Sequence, residues 1–292
     1  ALTLLDDIKD IERVRIQIGF AEADGNWDEA EKYISMLMEK FPESLEAHNM
    51  LAHRLWRRNE VDSSIAEFWK VLDIDPDHAL AYNMLGYLYY FKGEYDRALE
   101  YINEYSTIAR DQANPHDSHG EILLWLGRYD EALREFQVAD SIKPDLDFVV
   151  GHIGQVYMAK GMFRDAIGAL LKARELAIGE NRRIGFELTL ADCYLFANRP
   201  NDAIEVLQEA IVRSPKSRSL HSLLGRIYAL EGRIEEAFIK LGTLRGMTAE
   251  ANREKAIDDT TMAKTPLDQR RVEAQIAVAK GEYGKAIALY ND

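Results

Sequence analysis

Residues 85–102 read LGYLYYFKGEYDRALEYI, and residues 119–136 read HGEILLWLGRYDEALREF. Laid over one another, they agree at Gly86 and Gly120, Gly93 and Gly127, Tyr95 and Tyr129, and Ala98 and Ala132. Each pair is 34 residues apart. The spacing extends outward to Ala30, Ser64 and Ala166, and resumes after two insertions at Ala203, Ala237 and Ala286. Self-similarity at this period means stacked helical hairpins, each burying its apolar face on its neighbours. One continuous solenoid over 1–292 is therefore expected. Its repeats fall at about 11–44, 45–78, 79–112, 113–146, 147–180, 184–217, 218–251 and 267–292, the last truncated, with an insertion at 252–266.

Each site in the unit has a physical reading. The eighth position holds Ile18, Ala52, Gly86, Gly120, Gly154, Ala191, Gly225 and Ala274. Small residues there and at the 34-residue series mark where the two helices of a hairpin cross closely. The fifteenth position is only ever Gly or Asn: Gly25, Asn59, Gly93, Gly127, Gly161, Asn198, Gly232 and Gly281. These residues best tolerate the left-handed backbone that closes a helix. Two residues on stand Trp27, Val61, Tyr95, Tyr129, Phe163, Pro200, Ile234 and Tyr283, seven of them bulky anchors for the turn. Pro42, Pro76, Pro144 and Pro215 stop the second helix. No period-2 alternation is sustained anywhere, so every element is expected to be helical.

This combination of small, Gly, aromatic and Pro positions resembles the tetratricopeptide repeats, in their bacterial form, over about 11–292. The resemblance implies an all-α, right-handed solenoid of helix-turn-helix repeats whose first helices line a concave groove. It also implies a non-enzymatic scaffold that holds a peptide or a partner protein. Residues 79–166 further resemble bacterial repeat regions behind kinase or cyclase domains. The alternative function is therefore a regulatory or sensor region of a larger signalling protein.

The resemblance places positions 2, 5, 9, 12 and 13 of each first helix on the groove. The candidate binding residues there are Asn49, His53, Trp56, Asn83, Tyr87, Tyr90, Asp117, Glu121, Trp125 and Gln155. Phe91, Phe148, Asp192, Phe196 and Arg226 share those positions. Asn49 and Asn83 recur in AHNM and AYNM, so their amides should line up; an amide both donates to and accepts from an extended peptide backbone. Trp56, Tyr90 and Trp125 supply the aromatic area common in binding hot spots. Family members that grip a terminal carboxylate do so with Lys, Arg and Asn. Here the first pair would be Asn49 and His53, Met84 stands where an Asn is needed, Asn114 and Ser118 replace the basic pair, and Asp117 and Glu121 would repel that group.

Composition narrows the partner. The net charge is −14, which argues against nucleic acid. Residues 1–78 hold 18 acids and 9 bases, while 215–292 hold 11 acids and 13 bases, so a basic partner suits the N-terminal end. No run of about 18 apolar residues marks a membrane span. Cys193 is the single cysteine and reads as a small buried hydrophobe, with no base in view to activate it. His116 and His119 could share a helix face toward a metal, yet their register packs them against the second helix. Neither metal, cofactor nor catalytic site is expected. A cytoplasmic protein is favoured over a periplasmic one. The first residue is Ala1 and the last repeat stops at YGKAIALYND, which reads as a fragment of a longer chain.

The irregular places carry expectations of their own. Thr3 and Asp6 stand at capping-box spacing. Arg110 replaces a stop proline, so that helix should run on until Asn114–Pro115. Ile178 and Gly179 precede an insertion at 181–183. Thr248 looks like the cap of an added helix before Asp258–Thr261. The superhelix is expected to bend at the two insertions.

Overall fold

The computed structural model describes residues 2–254 and 266–291, with side chains described at 11–22, 24–251 and 266–291. Among the described residues there are sixteen helices and no strand: the protein is an all-α solenoid of helix-turn-helix repeats. It divides into two compact units, Ala1–Lys143 and Pro144–Asp292.

The first unit holds α1 (Leu2–Ala23), α2 (Trp27–Lys40), α3 (Leu45–Arg57), α4 (Val61–Ile74), α5 (Ala79–Phe91), α6 (Tyr95–Ile108), α7 (Ala113–Trp125) and α8 (Tyr129–Ile142). The second holds α9 (Asp147–Ala159), α10 (Phe163–Leu176), α11 (Glu180–Phe196), α12 (Pro200–Arg213), α13 (Arg218–Leu230), α14 (Ile234–Glu254), α15 (Leu267–Ala279) and α16 (Tyr283–Asn291). None is long and apolar enough to cross a membrane.

All eight turn positions have positive φ, from 56° at Asn198 to 79° at Gly93. At Gly93 the motif is complete: Gly93 N–H donates to Tyr90 O at 2.9 Å and Glu94 N–H to Tyr89 O at 2.9 Å. These bonds satisfy carbonyls that the end of α5 leaves open. The bulky residue two places on is the first residue of the following helix. Pro200 fits there because a helix's first N–H needs no partner.

The crossings are as tight as the small residues require. Ala30, Ala98, Ala132, Ala166, Ala203 and Ala237 are completely buried. A Cβ on Gly86 would lie 2.5 Å from Ile102 Cγ1, and one on Gly120 would lie 2.5 Å from the Phe136 ring. Ser64, the one hydroxyl in the series, donates to Ala52 O at 2.8 Å across its crossing. Around these contacts Phe68, Leu85, Leu88 and Ile102 form the core of the first unit, and Leu170, Leu190, Leu207 and Leu224 that of the second. Each such side chain contributes about 1.5–3 kcal/mol by leaving water.

Three expectations are corrected. Helix α6 does not run on through Arg110: it stops at Ile108, and α7 starts at Ala113, so Pro115 sits inside its first turn. Asn114 donates to Tyr105 Oη at 2.8 Å instead of capping. Thr248 begins no helix, because α14 passes through it and its hydroxyl donates back to Leu244 O at 3.1 Å. That carbonyl also accepts from Arg218 at 3.3 Å and Gln269 at 3.2 Å, which ties α14 to α13 and α15. Helix α1 already includes Thr3, which stands inside the helix and not at its cap position. The insertion at 181–183 becomes helix: α11 has 17 residues where α9 has 13. Asp258–Thr261 lie outside the described residues.

Candidate functional site

In the first unit, α3, α5 and α7 are successive first helices, so equal register positions recur one repeat apart. Asn49 and His53 on α3 line a cleft of 420 Å³ together with Arg15, Glu22, Arg54 and Arg57. Arg57 pairs with Glu22 at 2.6 Å, and the cleft carries both signs of charge. His53 meets the Phe68 ring edge-on, 5.3 Å between centroids. Burial lowers its pKa and Arg57 adds to that, while Glu22 opposes.

Beyond the cleft runs an aromatic wall. Trp56 lies 4.9 Å from Phe91, and Phe91 lies 6.0 Å from Trp125. Trp125 also touches Tyr90 at 4.9 Å and Tyr87 at 5.7 Å. Three repeats thus join through side-chain rings. Trp56, Tyr87 and Tyr90 are half-buried, but Phe91 is 55% and Trp125 41% exposed. The wall is partly packing and partly open surface.

Polar groups stand beside it. Tyr87 donates its hydroxyl to Glu121 at 2.7 Å. Burial first, and then the Glu121 charge, hold the Tyr87 phenol well above its ordinary pKa. Asp117 is buried on α7. Asn83 is half-buried on α5, and its Oδ1 is buried with no hydrogen-bond partner. A buried amide oxygen without a donor carries an uncompensated desolvation cost of about 1–3 kcal/mol.

The fold therefore brings Asn49 and His53 into one cleft, and Trp56, Tyr87, Tyr90 and Trp125 into one wall. Gln155 is half-buried on α9 in the second unit, whereas the other nine candidates lie in the first. Arg57 and Tyr95 were missed by sequence. Arg57 holds the same register position as Phe91 and Trp125, a signal that was available. Tyr95 lies 5.4 Å from Tyr90 although its register marks it as a turn anchor.

The other chemical candidates have structural partners. His116 Nδ1 meets Glu135 at 2.8 Å, and His119 Nδ1 meets the same carboxylate at 3.8 Å. Cys193 is completely buried, and burial pushes its thiol pKa up. That is the opposite of what a nucleophile needs.

A tetratricopeptide repeat model matches residues 67–100, and a second matches residues 188–243. Tetratricopeptide repeats are therefore present in both units of the chain. A tetratricopeptide repeat protein from Parabacteroides merdae is similar with a TM-score of 0.65 and 13% identity, over 93% of this chain and 99% of that one. The Cut9-Hcn1 hetero-tetramer of the APC/C is similar with a TM-score of 0.62 and 15% identity, over 90% of this chain. The chain spans about half of that relative, 48%. A human IFIT1 dimer with PPP-AAAA is similar with a TM-score of 0.57 and 18% identity, over 91% of this chain and 68% of that one. At these identities the likeness concerns the fold alone. No curated protein matches the chain.

Proposed function

We propose that this protein is a non-enzymatic interaction scaffold that holds an extended peptide segment of a partner against α3, α5 and α7. The observation that carries the reading is the pairing of idle amides with a half-open aromatic wall. Among the described residues neither Asn49 nor Asn83 hydrogen-bonds another side chain, and Asn83 Oδ1 is buried without a donor. A peptide N–H would supply that donor, and the exposed parts of Phe91 and Trp125 would take up its apolar side chains.

Charge selects among peptides. The chain's −14 and the acids of α7 disfavour anionic segments and suit one with basic residues. A random peptide library displayed on phage tests this. Selected binders should be basic and should lose affinity at least about tenfold, 1.4 kcal/mol, against Trp125→Ala. Binders that are acidic, or indifferent to Trp125, would contradict it.

A further inference from the structure

The second unit contains a cleft of 360 Å³ lined only by charged residues: Arg174, Glu175, Arg183, Glu187, Glu209 and Arg213. It lies where the repeat is interrupted. The inserted turn extends α11 at its start, and Arg182 on that turn pairs with the buried Asp147 at 2.6 Å. The turn is thereby fixed, and its next residue, Arg183, lines the cleft. From α12, Arg213 donates to Glu187 Oε1 and is 3.8 Å from Glu180.

Two features of this cleft are unspent. Neither Arg174 nor Arg183 has a carboxylate partner at ion-pair distance among the described residues. The Glu187 side chain is only 2% exposed, and its Oε2 is buried with no hydrogen-bond partner. Structural ion pairs leave few such loose ends, because an unmatched buried carboxylate oxygen is costly. A ligand that closes both must present acceptors to two guanidiniums and a donor to a carboxylate. A tetrahedral oxyanion that keeps one proton does this with a single group: its free oxygens accept from Arg, and its O–H donates to Glu.

We propose that this cleft is a binding site for a protonated tetrahedral oxyanion of the hydrogen phosphate type, held by Arg174 and Arg183 and selected by Glu187. Selection follows from the carboxylate. Sulfate has the same shape and charge but no proton at neutral pH, so it would leave two oxygens facing each other without a hydrogen between them. Rejection by an unpairable group is a strong form of specificity.

Isothermal titration of the full chain at pH 7 and constant ionic strength tests the site, with inorganic phosphate and sulfate as probes. Phosphate should bind and sulfate should bind at least about tenfold more weakly, a gap of 1.4 kcal/mol. Arg174→Gln and Arg183→Gln should each weaken phosphate by a similar factor. Glu187→Gln places an N–H donor where the acceptor stood, so it should gain sulfate binding. A melting curve for each variant separates loss of the site from loss of the fold. Absence of phosphate binding to a folded wild type, or equal binding of phosphate and sulfate, would overturn the proposal. So would a Glu187→Gln protein that is folded and still rejects sulfate.

Discussion

Tyr87 and Glu121 occupy the same register position of successive repeats, and the hydroxyl of one donates to the carboxylate of the other at 2.7 Å. The bond therefore spans one 34-residue repeat and ties α5 to α7. Removing it with Tyr87→Phe should cost about 1.5–3 kcal/mol, the range for hydrogen bonds to charged groups. A urea titration reads this directly. A midpoint equal to wild type would show that the bond contributes nothing.

The same pair sets an alkaline limit. The folded-state pKa of Tyr87 is raised above its ordinary value of 10.0. Its contribution is therefore complete below pH 10 and is lost as pH rises toward the folded pKa, because the unfolded chain releases that proton first. Stability should fall above pH 10, and Tyr87→Phe should fall less steeply. An identical slope in the two proteins would remove Tyr87 from the account.

The helix crossings should resist added volume. Gly120→Ala would put a Cβ 2.5 Å from the ring of Phe136, which is itself completely buried. Ala98→Leu loads an equally tight crossing between α5 and α6. Each should destabilise by about 1–3 kcal/mol. Thermal unfolding checks both, and an unchanged melting temperature for either would undercut the repeat register.

The Asn turns make a separate prediction. Asn59 sits at φ 62° in the turn between α3 and α4. Asn59→Ala should cost about 1 kcal/mol, since a left-handed conformation is unfavourable by roughly 1–2 kcal/mol for an ordinary residue. Asn59→Gly should cost nothing or stabilise. Equal stability of the Ala and Gly variants would mean that the turn conformation does not govern the choice of residue.

These turns also show why so much of the fold was readable. Positive φ admits few residue types, and helices approach closely only over small ones, so both leave a direct mark on the sequence. Helix ends without such a demand left none. At Arg110 no proline stops α6, yet the helix ends at Ile108 because stacking gives α4, α6 and α8 equal lengths of 14 residues. Thr248 has the chemistry of a cap, but the buried Leu244 and its shared carbonyl carry α14 through it. The candidate site was legible in register and not in state. Asn49 and Asn83 are equivalent by position, yet one lines an open cleft while the other buries an unmatched oxygen. Which face of a ring packs and which stays open depends on the neighbouring repeat, and position alone does not encode it.

The central claim is that Asn49 and Asn83 hold a peptide backbone. The direct test is the affinity of a library-selected peptide for Asn49→Ala/Asn83→Ala beside wild type, with urea midpoints measured on both. The account predicts at least about a tenfold loss of affinity, 1.4 kcal/mol, with no loss of stability, because Asn83 Oδ1 makes no bond in the fold. Undiminished affinity in a stably folded double variant would contradict it.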